Sequence, residues 1–245
     1  KTSKASKLVL PGGELRLRPD KAIEKYQFIS NNDESLKRIA FQLDSIDDLT
    51  IDGNGTHLLF TGFISPFNLE NCTNITIENL SIDFTRTFHS EGTISNVFDG
   101  GIDIMFPEDY RVDIQNGLLR FRDSEGTVYP YGNMLEFDVA KREPAHYAHD
   151  IWLWGSGVQA SKNDDGSYRL LGSDKTGTVG NIMVFGALAR YNPAFTLADC
   201  DGVTIKDVQL YHCGGMGVIA QRSRDIELNR FNVEPSSGRM ISITA

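Results

Sequence analysis

Apolar and small polar residues alternate with a period of two along Asn71 to Phe84, NCTNITIENLSIDF. That is the pattern of a strand with one buried face. The pattern returns in register: Phe41, Leu43, Leu49 and Ile51 recur as Phe67, Leu69, Ile75 and Ile77, then as Phe195, Leu197, Val203 and Ile205. A fourth copy reads Val218, Ala220, Ile226 and Leu228. The last three copies extend the match through Leu80 and Ile82, Val208 and Leu210, and Phe231 and Val233. Ile241 lies one repeat after Val218 and opens a further copy. A repeat of about 23 residues holding several short strands predicts a coil whose turns stack through parallel pairing. Parallel crossovers are right-handed as a rule. The expected fold is therefore all-β, a right-handed parallel β-helix. A β-sandwich with evenly spaced strands is the plainer alternative.

Residues 92–191 break the register and carry hairpin signals of their own. In YRVDIQNGLLRFR, Asn116-Gly117 separates two alternating runs, and Asp165-Gly166 separates VQASKN from SYRLLG. This segment is predicted to be a small antiparallel β-barrel-like insertion. The expected organisation is residues 1–91 for N-terminal strands and the first turns, 92–191 for the insertion, and 192–245 for the continuing coil. Before the first copy, LPGGELRLRPDKAIEKYQFIS reads as two short strands, with AIEKY the best helix candidate in the chain.

Composition narrows the partners. With a net charge of -9 and a pI near 5.0, the chain lacks the clustered cations that nucleic-acid binding requires. No apolar run approaches the roughly 20 residues of a membrane helix. A neutral or weakly charged ligand fits better. Cys72, Cys200 and Cys213 lack metal-site spacing, and no metal or cofactor is expected. The opening KTSKASKLVLPGG has no apolar signal core.

The coil accounts for the apolar residues, so chemistry is sought among polar residues where the rhythm stops. In DFTRTFHSEG, Arg86, His89 and Glu91 follow the last strand before the insertion, where an exposed corner is expected. Arg suits paired hydrogen bonds to hydroxyls or carboxylates, and Glu accepts them. On the return side Arg190, Asn192, His212 and Arg239 hold comparable positions, and His212 precedes the glycine-rich GGMG. A solvated corner and a structural histidine are the plain alternatives. GGMG lacks the pattern of a phosphate-binding loop. Cys72 and Cys200 occupy the same place in adjacent repeats, so they stack as small buried residues or join as a disulfide. Four N-x-S/T triplets begin at Asn54, Asn71, Asn74 and Asn79, and are read as by-products of polar-apolar alternation. Tyr147, Trp152, Trp154 and Tyr191 form either barrel-core aromatics or a sugar-stacking platform.

The run FISNNDESLKRIAFQLDSIDDLTIDGNG, with its SNND and KRIAF elements, and the later SEG resemble the N-terminal part of glycoside hydrolase family 110. These are bacterial α-1,3-galactosidases. PAFTLADCDGVTIKDVQLYHCGGMGVIAQRSRDIEL and SSGRMISITA continue the resemblance, and the insertion is similar to that family's barrel domain. The resemblance implies hydrolysis of terminal α-linked galactose with inversion, on a galactose-containing oligosaccharide or glycoconjugate, in a secreted, periplasmic or cell-surface setting. It also implies that the catalytic acid and base lie beyond Ala245, so that the chain is a fragment. Its residues Arg86, His89, Glu91, Arg190, His212 and Arg239 would then bind substrate. Exposed coil ends favour association with a second copy. A β-helix polysaccharide lyase and a non-catalytic carbohydrate-binding or adhesive β-helix are the competing readings.

Overall fold

The computed structural model describes residues 6–32, 34–108, 110–153, 158–172 and 177–239. They divide into unit 1, Lys1–Thr87 with Arg190–Ala245, and unit 2, Phe88–Ala189. Unit 1 opens with β1 (Ser6–Val9), β2 (Glu14–Leu17), β3 (Ile23–Gln27), β4 (Ser35–Asp44), β5 (Asp47–Phe60), β6 (Ser65–Glu70) and β7 (Thr73–Phe84). Unit 2 holds β8 (Ser90–Phe98), β9 (Gly101–Met105), β10 (Arg111–Gln115), β11 (Leu118–Arg122), β12 (Tyr131–Asp138), β13 (Glu143–Pro144), β14 (Ile151–Trp152), β15 (Gln159–Lys162), β16 (Tyr168–Leu171) and β17 (Ile182–Ala187). The chain returns to unit 1 with β18 (Phe195–Ala198), β19 (Asp201–Leu210), β20 (Val218–Gln221) and β21 (Arg224–Val233). Among the described residues the fold is all-β apart from a 3-10 turn at Pro19–Lys21.

Unit 1 builds two sheets. One runs β1-β5-β7-β19-β21, with β2 also on β5, and the other runs β20-β18-β6-β4-β3. From β4 onward the strands of unit 1 alternate between them, so each repeat gives one strand to each sheet. Every pairing is parallel except the antiparallel β3–β4 hairpin. The Cα register is the one read from the sequence: Phe41 faces Phe67, Phe67 faces Phe195 and Phe195 faces Val218. In the other sheet Ile51, Ile77, Ile205 and Leu228 are successive partners. The three phenylalanine rings stack at 4.6 and 4.9 Å. The first copy lacks the later matches because β5 is irregular between Asp52 and Thr56. Leu58 therefore reaches Ile82 two residues late. The further copy opening at Ile241 lies outside the described residues.

The corners explain the polar half of the repeat. Ser45, Asn71, Asp199 and Arg222 are left-handed, with φ of 56°, 51°, 54° and 48°. So are Asp48, Asn74, Gly202 and Asp225, and again Asn79, Asp207 and Arg230. These residues drop out of the pairing register, so each long strand bends at them. Asn and Asp visit this region at lower cost than other non-glycine residues because their short side chains bond locally. Asn74 Nδ2 donates to Asp48 Oδ1 at 3.1 Å, and Asn79 Nδ2 to Asp52 Oδ1 at 3.1 Å. The asparagines of the four N-x-S/T triplets, including Asn54 at φ 50°, thus serve backbone geometry and are not by-products of alternation. Asn74→Gly is expected to leave stability within about 0.5 kcal/mol, whereas Asn74→Val loses about 1–2 kcal/mol. Equal losses in urea titrations of the two variants would refute the backbone role.

AIEKY is strand, not helix. β3 follows Pro19–Lys21 and alternates, with Tyr26 exposed and Gln27 buried. The strand wins because its residues pair with β4 rather than closing local turns.

Unit 2 is one antiparallel sheet, β10-β11-β15-β16-β9-β8-β17-β12-β13, with β14 also on β12. Asn116 and Gly117, φ 54° and 75°, make the two-residue turn that their sequence predicts, with Gln115 opposite Leu118. The Asp165-Gly166 loop joins the paired β15 and β16. Phe106, Phe121, Tyr131 and Phe185 pack ring to ring at 5.1 to 5.6 Å. Asp103 accepts two bonds from Arg169, at 2.9 and 3.0 Å, which holds its carboxyl down at about 2. Tyr147 is 87% exposed and stacks on His146, so it is not a barrel-core residue. Tyr191 belongs to unit 1, and Trp154 lies outside the described residues. No helix among the described residues is long and apolar enough to cross a membrane.

Candidate functional site

β7 ends on Asp83 and Phe84, and both have burial that a solvated corner would lack, at 9% and 1% exposure. Asp83 Oδ1 accepts from the Phe84 amide at 2.7 Å and from Arg239 Nη1 at 3.2 Å. Arg239 Nη2 also donates to the Phe84 carbonyl at 3.4 Å. The two residues are 156 positions apart, so the ion pair ties the last described segment to the end of β7. Both partners are partly shielded, which strengthens their attraction relative to an exposed pair. His212 is fully buried and meets the Phe84 ring edge-on, with centroids 5.9 Å apart. Phe84 is thus the common neighbour of His212 and Arg239.

Arg190 lies against the glycine-rich corner after His212. A side-chain carbon added at Gly215 would sit 3.4 Å from the Pro193 nitrogen and 3.6 Å from Arg190 Cβ. The glycines therefore admit the chain's own backbone, which returns here: the Tyr191 amide donates to the Gly214 carbonyl at 2.7 Å. Asn192 Nδ2 donates to Ser65 Oγ at 2.9 Å, and the buried Lys37 Nζ to the Tyr191 carbonyl at 2.7 Å. Burial also lifts the Cys213 thiol to about 12.

The sequence suggested exposed positions for Arg86, His89 and Glu91, and all three are buried, at 5%, 0% and 5% exposure. Arg86 Nη1 donates to the Thr87 carbonyl. His89 and Glu91 belong to unit 2, where His89 Nε2 stands 2.8 Å from Glu91 Oε1. Glu91 is fixed in β8, opposite Val184 of β17. A buried imidazole–carboxylate pair of this kind fixes both side chains and sets which ring nitrogen carries the proton.

Sequence reasoning singled out Arg239 and His212 but missed Asp83 and Lys37. Asp83 opens the polar run DFTRTFHSEG, and an acid next to an inward Phe at a strand end was the available signal. Lys37 sits inside an alternating strand and gave none.

Cys72 and Cys200 are free, buried and stacked in adjacent repeats. Cys72 Sγ donates to the Glu70 carbonyl at 3.2 Å, and Cys200 Sγ to the Ala198 carbonyl at 3.3 Å. Their mutual hydrogen bond favours ionisation of Cys72, and with burial it opposes that of Cys200. No three His, Cys, Asp or Glu side chains among the described residues are grouped to hold a metal ion.

Comparison with known proteins finds similarity along nearly the whole chain. Residues 90–183 match the family model described as GLAA-B beta-barrel domain I, which covers most of unit 2. Along 97% of its length the chain is 32% identical to an alpha-1,3-galactosidase A of Shewanella woodyi, of which it covers 40%. It is 28% identical to an alpha-1,3-galactosidase A of Bacteroides fragilis, over 100% of the chain and 42% of that relative. An alpha-1,3-galactosidase B of Bacteroides thetaiotaomicron is 27% identical over 96% of the chain and 39% of its own length. The chain spans about two fifths of the length of the curated relatives it matches.

Proposed function

We propose that this chain, a relative of the family 110 glycoside hydrolases, is part of an enzyme that removes terminal α-1,3-linked galactose from a glycan. The observation that carries this reading is the continuous similarity to alpha-1,3-galactosidases through both units. In this reading unit 1 is a stretch of right-handed parallel β-helix. Its in-register pairing of successive repeats supports the coil, and the general preference of parallel crossovers supplies the hand. Such a scaffold is stiff, because its inner strands are held on both sides, and stiffness is what a sugar-positioning surface needs.

The hydrolysis proceeds with inversion. One carboxylic acid protonates the leaving oxygen while a carboxylate roughly 6.5–9.5 Å away activates a water on the opposite face. Those two carboxylates belong to the part of the relatives' length that this chain does not span, and the residues here bind and orient. Arg239 and Arg190, both partly exposed, donate to sugar hydroxyls. The buried Arg86, His89, Glu91 and His212 hold the neighbouring backbone in place. The enzyme acts outside the cytoplasm, in secreted, periplasmic or cell-surface form.

A protein carrying this chain at the relatives' full length should release galactose from an α-1,3-linked galactobioside. Proton NMR should detect the β-anomer first, the mark of inversion. Arg239→Ala should lower kcat/KM by about tenfold or more, the worth of one charge-assisted bond. Arg239→Lys should recover part of it. Absence of released galactose, or retention of the α-anomer, would overturn the reading.

A further inference from the structure

The outer face of the sheet formed by β5, β7 and β19 carries an aromatic ring drawn across its neighbours. His57, Ser81 and Gln209 form one row across these strands, and Tyr211 follows Gln209 by two residues, on the same face. The His57 and Tyr211 backbones are therefore about 9.6 Å apart across the strands and about 7 Å along them. Their rings nevertheless meet, with centroids 6.2 Å apart. The two side chains must lean toward each other over β7, between Ser81 and Asp83. His57 is fixed in that pose by Ser81, whose Oγ stands 2.8 Å from its Nδ1. The Tyr211 ring is thus laid against the sheet and stays half-buried.

Tyr211 also borders the Asp83–Arg239 pair. Its amide donates to the Ile82 carbonyl at 2.9 Å, which sets it beside Asp83 at about one strand spacing. Asp83 is largely buried, yet both of its bonds use Oδ1. Its Oδ2 accepts nothing among the described residues and is not one of their fully enclosed polar atoms, so a ligand can reach it. Arg239 commits one N–H to Asp83 and one to the Phe84 carbonyl, and keeps the rest of its fork. The Tyr211 hydroxyl likewise has no partner among the described residues.

A carboxylate oxygen, a guanidinium fork and a flat ring, all open on one face, are the groups that grip a pyranose. The first two take adjacent hydroxyls, and the ring takes the apolar C–H face. We propose that Tyr211 is the stacking platform of a galactose-binding subsite, in which Asp83 Oδ2 accepts from one sugar hydroxyl and Arg239 donates to its neighbour. Galactose suits the platform because its axial 4-hydroxyl points away from the opposite face and leaves carbons 3, 4 and 5 a continuous apolar edge there. In glucose the equatorial 4-hydroxyl interrupts that edge. Asp83 touches the sugar, whereas His57 acts through the ring that it props. The proposal rests on the reading of Arg239 as a sugar-binding residue and adds two residues and a sugar preference to it. It does not depend on where the proton-transferring carboxylates lie.

Saturation-transfer NMR and calorimetry on this chain, with methyl α-D-galactopyranoside as probe and methyl α-D-glucopyranoside as control, test it. The galactoside should bind in the millimolar range, and the glucoside several times more weakly. Tyr211→Leu should weaken galactoside binding about tenfold, whereas Tyr211→Phe, which keeps the ring, should stay within about threefold of the native chain. Asp83→Asn should weaken it about tenfold as well. If circular dichroism shows that variant unfolded, the two tyrosine variants decide the matter. No saturable galactoside binding to the native chain overturns the proposal, and so does equal binding of the two sugars or by the two tyrosine variants. The expected pattern, found while the full-length protein releases no galactose, supports the platform and overturns the hydrolase reading alone.

Discussion

Phe195→Ala should cost the chain about 3–5 kcal/mol, the largest stability loss expected from any one side chain in unit 1. Phe195 is fully buried, stacks on Phe67 at 4.9 Å with an interplanar angle of 7°, and meets Phe231 edge-on at 6.1 Å. Its Cα partners are Phe67 on one side and Val218 on the other, so the strands cannot slide together to fill the void without losing register. The cavity term is added to the transfer term when the walls cannot collapse. Phe195→Leu, which keeps most of the volume, should cost about 1.5 kcal/mol or less. Denaturant titrations followed by circular dichroism give both values. A loss below about 1 kcal/mol in the alanine variant would mean that the ring ladder contributes packing that the strands can replace.

Gly53→Ala is the second large effect, and here the damage comes from adding one carbon. A methyl at Gly53 would sit 2.3 Å from the Asn79 carbonyl oxygen and 2.5 Å from Leu80 Cβ. These atoms belong to β7 where it bends, and retreat would open the β5–β7 pairing on both sides of the irregularity. Overpacking against fixed backbone costs about 3 kcal/mol. Gly55, two residues on, has φ 72° and nothing within 4 Å of an added carbon. Gly55→Asn should therefore be tolerated within about 1 kcal/mol, because Asn accepts the left-handed conformation. Comparable losses at the two glycines, in thermal and urea unfolding, would show that backbone freedom and not close approach decides the site.

These contrasts also show what the sequence made legible. The inward register was readable because burial of one face demands the same residue class at the same offset in every repeat, and a one-residue slip would turn Phe67 or Ile77 outward. The hairpins of unit 2 were readable because Asn116-Gly117 supplies two residues that accept positive φ. Most of the corners were present in the sequence as Asn, Asp and Gly at matching offsets, with Ser45, Arg222 and Arg230 as exceptions, but the alternation of their neighbours hid them. The exposed ion pairs Asp199–Arg222, Asp201–Arg224 and Asp207–Arg230, each between residues 23 apart, likewise follow the repeat. They could have been found by scanning polar residues at the period already established for apolar ones.

The candidate site was less legible. Arg239 and Asp83 are 156 residues apart, and only the folded chain makes them partners. Local sequence placed Arg86, His89 and Glu91 at a rhythm break and so suggested exposure, but a break in alternation marks the end of a strand and says nothing about what covers it. The contact of the segment after β3 with β20 was invisible for the same reason: Gln221 donates to the Phe28 carbonyl across 193 residues, and no local signal gives that.

β7 pairs with β19 across an excursion that begins after Phe84 and ends before Asp201. A disordered loop of that length would make the pairing slow to find and entropically weak. Unit 2 removes the difficulty from within, because Ser90 faces Phe185 and Thr93 faces Ile182 in the antiparallel β8–β17 ladder. Once that ladder has formed, the polymer chain seen by β7 and β19 is no longer an excursion of about 116 residues but a bridge of about 20, which lowers the closure cost by about 1.5 kcal/mol. The insertion thus carries its own clasp, and the order of events should run from the inserted sheet to the parallel sheets of unit 1: the late-appearing contacts in a refolding experiment are those between β7 and β19.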